Sequence, residues 1–232
     1  MVEYFHMGSS DEAYNACADV ISEAIEDLLS QKEKVVLAVP GGRNVAPVFQ
    51  NLRKKNIPWN KVHLFTVDEK LMDYEDEGSN YYILKENLID PLIAEDKLPS
   101  SSLHPFVYNP EEDDDGIKEY EEELKAVGGK FDIVLLSSGE DGHVGALYPN
   151  HHSIENESDY FLTINNSPKP PKNRMTSSKK LLQRSQVALL MFIGKDKYEA
   201  YKKFNDENVS LKDCPARLAG SIVNSFVFTD YK

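Results

Sequence analysis

The sequence predicts a single α/β domain built on a mostly parallel β-sheet with helices on both faces. Short apolar runs alternate with amphipathic helical stretches along the 232 residues, the order that builds βαβ units. Several of these runs, KVVLAV at 34–39 and QVALLMFI at 186–193 among them, are apolar at successive positions and so suit strands covered on both faces. No internal repeat and no Ser/Gly-rich linker divides the chain, so one domain spanning residues 1–232 is the simplest organisation.

Each element has its own local signal. Ser9 followed by Glu12 has the form of a capping box, and the helix it opens runs to about Leu29, with Ala13, Cys17, Val20, Ile21, Ala24 and Leu28 on one face. The 34–39 strand ends in a Pro-Gly-Gly turn, and a helix starts near Val45, where Pro47 is tolerated in the first turn. VHLFTV (62–67) is the next strand, a helix covers Asn80 to Leu88, and LHPFV (103–107) reads as a short strand. The acidic run EEDDDG (111–116) reads as a solvated loop ahead of a surface helix over 117–127. Strands follow at 131–136, 160–164 and 186–193, then a helix over 196–204 and a closing strand over 225–230. The Pro-rich stretch 165–180 carries five basic residues and no acid, and reads as a spacer or solvated loop.

Composition narrows the classes. Apolar residues make up 41% of the chain and charged residues 28%, the balance of a soluble globular protein. The formal net charge of -13 opposes a general nucleic-acid binder, which needs a basic face, but leaves room for a small anionic ligand held by a few convergent cations. Cys17 and Cys214 fit no metal spacing and read as reduced, buried thiols. Met1 is followed by VEYFH, without a basic start or a long apolar run, and no segment has the length of a membrane span, so a cytosolic protein is expected.

In an open parallel sheet, ligands bind beyond the C-terminal strand ends. That rule selects Pro40-Gly41-Gly42-Arg43-Asn44, Asp68-Glu69-Lys70, and Ser137-Ser138-Gly139-Glu140-Asp141-Gly142-His143. A Gly-Gly turn entering a helix offers backbone N–H groups to an anion, or is simply a tight turn; Arg43 adds a donor suited to phosphate. Asp68 and Glu69 fit a metal pair, an acid and base, or plain loop acids, and nothing nearby completes a ligand set. His143, with Asp141 two residues before it and Gly142 to bend the turn, suits a general base, a ligand or a packed loop histidine.

The order Gly-Gly turn, DEK…SN, GEDGHVGALYP, SPKPPKNRMT and GKDK resembles the 6-phosphogluconolactonases, members of a larger family with the glucosamine-6-phosphate deaminases (the glucosamine/galactosamine-6-phosphate isomerase family). The resemblance runs from about Val35 to Phe228, and its two long motifs are the specific ones. It implies a Rossmann-like α/β domain that hydrolyses 6-phospho-D-glucono-1,5-lactone to 6-phosphogluconate, in the oxidative pentose phosphate pathway. His143 would be the base that activates water, and Asp141 would position that histidine or the water. Gly41 and Gly42 would cradle the phosphate, with Lys70, Arg174 and Lys197 supplying cations. The implied partner is a small sugar-phosphate lactone, with no nucleic acid and no membrane. No metal or organic cofactor is required, since a δ-lactone is an activated ester. A monomer is the simplest expectation.

The chain departs from the family pattern at three places. Arg43 stands where a Ser or Thr usually follows the Gly-Gly, and Pro47 comes later than usual. Lys70 replaces an arginine, exchanging a bidentate fork for a point charge. After His143 the chain reads Val144-Gly145-Ala146-Leu147-Tyr148-Pro149, where Phe commonly precedes the proline. These changes bear on substrate affinity more than on reaction type. Two rivals stand beside the lactonase reading. In the deaminases a Glu lies five positions after the histidine, and here that position is Tyr148. A non-catalytic sugar-phosphate-binding protein would have no need to keep the base.

Overall fold

The computed structural model describes residues 2–42 and 44–231. In chain order its strands and helices are β1 (Val2–His6), α1 (Ser10–Leu29), β2 (Val35–Val39), α2 (Ala46–Leu52), β3 (Val62–Thr66), β4 (Asp68–Lys70), α3 (Asn80–Leu84), α4 (Asp90–Ala94), β5 (Leu103–His104), α5 (Ile117–Ala126), β6 (Ile133–Ser137), α6 (His152–Glu155), β7 (Phe161–Ile164), β8 (Arg174–Ser177), α7 (Lys179–Gln183), β9 (Val187–Phe192), α8 (Tyr198–Asn205) and β10 (Asn224–Thr229). Seven strands form one sheet in the order β1-β10-β9-β6-β2-β3-β5, and every pairing in it is parallel. β4, β8 and β7 form a separate antiparallel sheet.

Side-chain alternation along the central strands explains the layers. Val35, Leu37 and Val39 of β2 face the cluster that contains Ala13, Cys17 and Ile21 of α1, while Val36 and Ala38 face the opposite cluster with Tyr120 and Leu124 of α5. β6 and β9 divide in the same way, Leu135 and Leu189 to the first side, Leu136 and Leu190 to the second. Both faces are apolar because both are covered by helices, as the unbroken apolar runs require.

The sheet reverses direction between β2 and β6. From β2 the chain builds outward through β3 to β5; from β6 it builds the other way through β9 and β10. A crevice opens at such a switch point, beyond the carboxyl ends of the two strands. The Gly41-Gly42 turn leaves β2 there, and the Gly139–His143 turn leaves β6 beside it.

Several local expectations change in the structure. Ser9 caps α1 by accepting from the Glu12 amide (3.3 Å), but the Glu12 carboxylate accepts from Gly8 N (2.8 Å) and not from Ser9. The helix read as ending at Leu88 continues through a wide π-helical turn, Lys85–Ile89, into α4; Pro91, which lacks an amide, sits just after that turn. The strand read over 103–107 shortens to two residues, since Pro105 cannot donate to a ladder. Of the strand read over 160–164, Phe161–Ile164 pair in the small sheet, and the 165–180 stretch read as a spacer contains β8 and the start of α7. β1 was not foreseen: VEYFH mixes polar and apolar residues as an edge strand does.

Asp132 sets the register at the foot of β6. Its carboxylate is 1% exposed and accepts from Val36 N (2.8 Å) and from Lys32 Nζ (2.6 and 2.7 Å). Its carbonyl accepts from the Gln186 and Val187 amides, so one residue ties β2, β6 and β9 together. Asp132→Ala leaves an ammonium and a buried amide unpaired and is expected to lower stability by roughly 2–4 kcal/mol. A urea titration checks this; Asp132→Asn, which keeps an acceptor for the amide, should lose less.

Candidate active site

The switch-point crevice is a cavity of about 410 Å³. Gly41, Gly42, Lys70, His143, Arg174 and Lys197 all line it, so residues from five separate segments meet in one place. Asp141 stands behind His143. Arg43, the remaining residue singled out in the sequence, lies outside the described residues.

The histidine turn is built by close approach. His143 Nδ1 is 2.6 Å from Asp141 Oδ1, and the same oxygen accepts from the His143 amide (3.1 Å). Gly139 N donates to the His143 carbonyl (2.8 Å), closing the turn, and a Cβ at Gly139 would lie 2.0 Å from His143 Cε1. Only glycine lets the imidazole fold back over the turn's own backbone. Two outside segments hold the turn in place: Ala216 N donates to the Gly142 carbonyl (2.8 Å), and Ala146 N donates to Thr176 Oγ1 of β8 (3.0 Å).

Burial alone would raise the Asp141 carboxyl, but the hydrogen bond and charge of His143 and its backbone amide together hold it well below the usual carboxylate range. Asp141 is therefore an anion and an acceptor. In the neutral imidazole Nδ1 is the nitrogen that donates to it, and Nε2 has no protein partner among the described residues. His143 lines the cavity, so a base is presented there.

Cations surround it. Lys70, Lys169, Arg174 and Lys197 line the cavity against two carboxylates, Asp68 and Glu140, a local reversal of the chain's net charge of -13. Lys70 of β4 and Arg174 of β8 are direct cross-strand partners. Like charges placed opposite one another destabilise a sheet unless something neutral or anionic joins them. Protein groups do part of this: Arg174 lies 3.6 Å from Asp68 Oδ2 and donates to the Pro170 and Pro171 carbonyls, and Lys70 donates to the Gly78 carbonyl. Lys197 pairs with Asp196 (2.9 Å) and Lys169 with Glu140 (2.8 Å). The Gly41 and Gly42 amides have no acceptor among the described residues, which leaves them for a ligand.

Asp68 and Glu69, left open in the sequence, separate in the structure. The Glu69 side chain is fully buried and accepts from three amides, those of Lys70, Asn80 and Tyr81, tying β4 to the start of α3. Burial pushes its carboxyl up to about 7, against the pull of those donors. Burial also raises Asp68, while Arg174, His143, Asn80 and Lys70 favour its anion. Three cavity residues carry roles the sequence reading did not assign. Asn80 donates to the Asp68 carbonyl (2.8 Å) and packs so tightly on Gly41 that a Cβ there would lie 2.0 Å from its Cγ. Lys169 lay inside the quoted SPKPP segment, whose run of cations was the available signal; Tyr148 had been noted only as a replacement.

The fold and cavity define an α/β protein with a histidine and a rim of cations at the sheet's switch point. Comparison with known proteins narrows the class. Residues 8–227 match the model of the family described as glucosamine-6-phosphate isomerases/6-phosphogluconolactonase, and the chain belongs to that family. It is 32% identical over 196 residues to a 6-phosphogluconolactonase of Borreliella burgdorferi, covering 84% of this chain and 83% of that one. A crystal structure of 6-phosphogluconolactonase from Thermotoga maritima superposes with a TM-score of 0.81 at 25% identity, covering 99% of this chain and 98% of that one. A 6-phosphogluconolactonase structure from Leishmania guyanensis has the same fold, with a TM-score of 0.83 at 22% identity and coverage of 99% and 96%.

Gly139→Ala tests the close approach. The added methyl must displace the imidazole, so kcat is expected to fall at least about 100-fold, as when a general base is misplaced, in a protein that still folds. Steady-state kinetics beside a thermal unfolding curve separates the two effects.

Proposed function

We propose that the chain is a 6-phosphogluconolactonase, one sugar-phosphate lactonase domain that hydrolyses 6-phospho-D-glucono-1,5-lactone to 6-phosphogluconate. The observation that carries this reading is the Asp141-anchored His143 facing a cavity rimmed by four cations. Water attacks the lactone C1 as His143 Nε2 takes its proton. Asp141 stabilises the imidazolium that results. The tetrahedral intermediate collapses, the ring C–O bond breaks, and the imidazolium returns the proton to the leaving ring oxygen. Phosphate binding by Lys70, Arg174, Lys197 and the Gly41 and Gly42 amides, with Arg43 as a further donor, orients the carbonyl.

The activated ester needs neither metal nor covalent nucleophile. Among the described residues no helix is long and apolar enough to cross a membrane. The acidic balance opposes nucleic acid as a partner, while the cations gathered at the cavity leave room for a small anionic substrate. A monomer is kept as the simplest working unit, and a cytosolic location accords with the two free, buried thiols. Against the deaminase reading, the position of that family's glutamate is Tyr148, which offers no carboxylate.

Turnover of 6-phosphogluconolactone by the purified protein, corrected for spontaneous hydrolysis, is the direct test. His143→Ala should lower it by roughly 10²- to 10⁴-fold. Lys197→Ala and Arg174→Ala should lower kcat/KM by roughly 10- to 100-fold for this substrate and leave hydrolysis of unphosphorylated gluconolactone nearly unchanged. Equal losses on both lactones would assign these cations to the fold or the oxyanion. Ammonia release from an amino-sugar phosphate, or binding without turnover, would replace the reading altogether.

A further inference from the structure

Tyr148 differs from the phenylalanine common at its position by one hydroxyl, and the structure gives that hydroxyl a partner. The side chain is 1% exposed, yet it lines the cavity. Its ring lies 4.9 Å from the His143 ring, centroid to centroid, tilted by 45°. Ala146, Leu162 and Ile164 pack in the same buried cluster and its amide donates to Ser153 Oγ (3.1 Å), so the ring has little freedom. Its Oη is 2.9 Å from Ser167 Oγ.

Ser167 closes a loop. Its amide donates to the Lys172 carbonyl (3.1 Å), and its hydroxyl also meets the Lys169 carbonyl (2.7 Å) and the Lys169 amide (3.2 Å). That loop presents Lys169 and Pro170 to the cavity, and the Pro170 carbonyl accepts from Arg174. A tyrosine seated on the catalytic histidine is thus hydrogen-bonded to the residue that shapes the cationic rim.

We propose that Tyr148 is a positioning residue for substrate binding: through Ser167 its hydroxyl holds the Ser167–Lys172 loop over the cavity, and with it the Lys169 ammonium and the Pro170 carbonyl that orients the phosphate-binding Arg174, while its ring seats the His143 imidazole. The ring and the hydroxyl therefore act on different quantities. Removing the hydroxyl leaves the packing on His143 intact and loosens only the rim. The effect falls on binding of the phosphorylated substrate and not on the chemical step. This proposal rests on the lactonase reading of the cavity.

Tyr148→Phe, Ser167→Ala and the double variant separate these roles. Tyr148→Phe is expected to raise KM for 6-phosphogluconolactone roughly three- to tenfold, the effect of one neutral hydrogen bond, and Ser167→Ala, which also loses its bonds to Lys169, at least as much, with kcat within about twofold of wild type in both. Because the Tyr148 hydroxyl acts through Ser167, whose own bonds to Lys169 are lost as well in Ser167→Ala, the double variant should be no worse than Ser167→Ala alone. Calorimetric binding of 6-phosphogluconate, which needs no turnover, should weaken by the same factor. An unchanged KM and product affinity in Tyr148→Phe, losses that multiply in the double variant, or a fall in kcat alone would each overturn the proposal. Should Tyr148→Phe fold poorly, Ser167→Ala must show the binding loss by itself or the proposal fails. A wild-type protein that binds 6-phosphogluconate without hydrolysing the lactone would remove the lactonase reading while the binding comparison still decides the role of Tyr148.

Discussion

The hydrogen bond between Asp141 and His143 is the interaction on which the rest of the site depends. Two side chains two positions apart meet at 2.6 Å only where the backbone turns sharply between them. Gly142 makes that turn with a φ of 97°, and Gly139 leaves room for the ring to fold back. The turn is then propped from outside by Ala216 and by Thr176 of β8. Its direction is set by β6, whose foot is tied to β2 and β9 by Asp132. The geometry of one short bond thus draws on the parallel sheet, the small antiparallel sheet and the C-terminal segment together. The bond orients the imidazole and, in its neutral form, places the proton on Nδ1, which leaves Nε2 as the basic nitrogen.

Electrostatics in the cavity run against those of the whole molecule. A chain of net charge -13 collects four cations around one cavity, and each already has a protein acceptor. Such partners hold long side chains in place before substrate arrives, which reduces the entropy lost on binding. They also limit the cost of placing Lys70 directly opposite Arg174. Carbonyl partners serve this purpose well: they orient a cation without neutralising it, so its charge stays available to an anion.

Much of the fold was readable because its signals are local. Largely apolar runs marked β2, β3, β6 and β9, and the Ser9 cap marked the start of α1. The small sheet was not readable. β4 and β8 are three and four residues long, rich in polar side chains, and their pairing joins Lys70 to Arg174 across a hundred residues of chain. No periodicity survives in so short a strand, and the prolines ahead of β8 gave the segment the look of a spacer. The π-helical turn before Pro91 was hidden for a related reason: proline signals a break, and only the packed helix shows how the break is accommodated.

For the site, the sequence by itself determined which residue types were available and, through the rule that ligands sit beyond parallel strand ends, which turns would carry them. Asp141 and His143 were legible because their partnership is nearly contiguous in the chain. Tertiary structure decided what depends on distance between remote segments: the convergence of Lys70, Lys169, Arg174 and Lys197, the packing of Asn80 on Gly41, the burial that divides Asp68 and Glu69 from ordinary loop acids, and the bond from Tyr148 to Ser167. A residue's type and near neighbours constrain its local backbone, but its charge state and its partners follow from solvent exclusion and from approaches of a few ångströms, which arise only when the whole chain is packed.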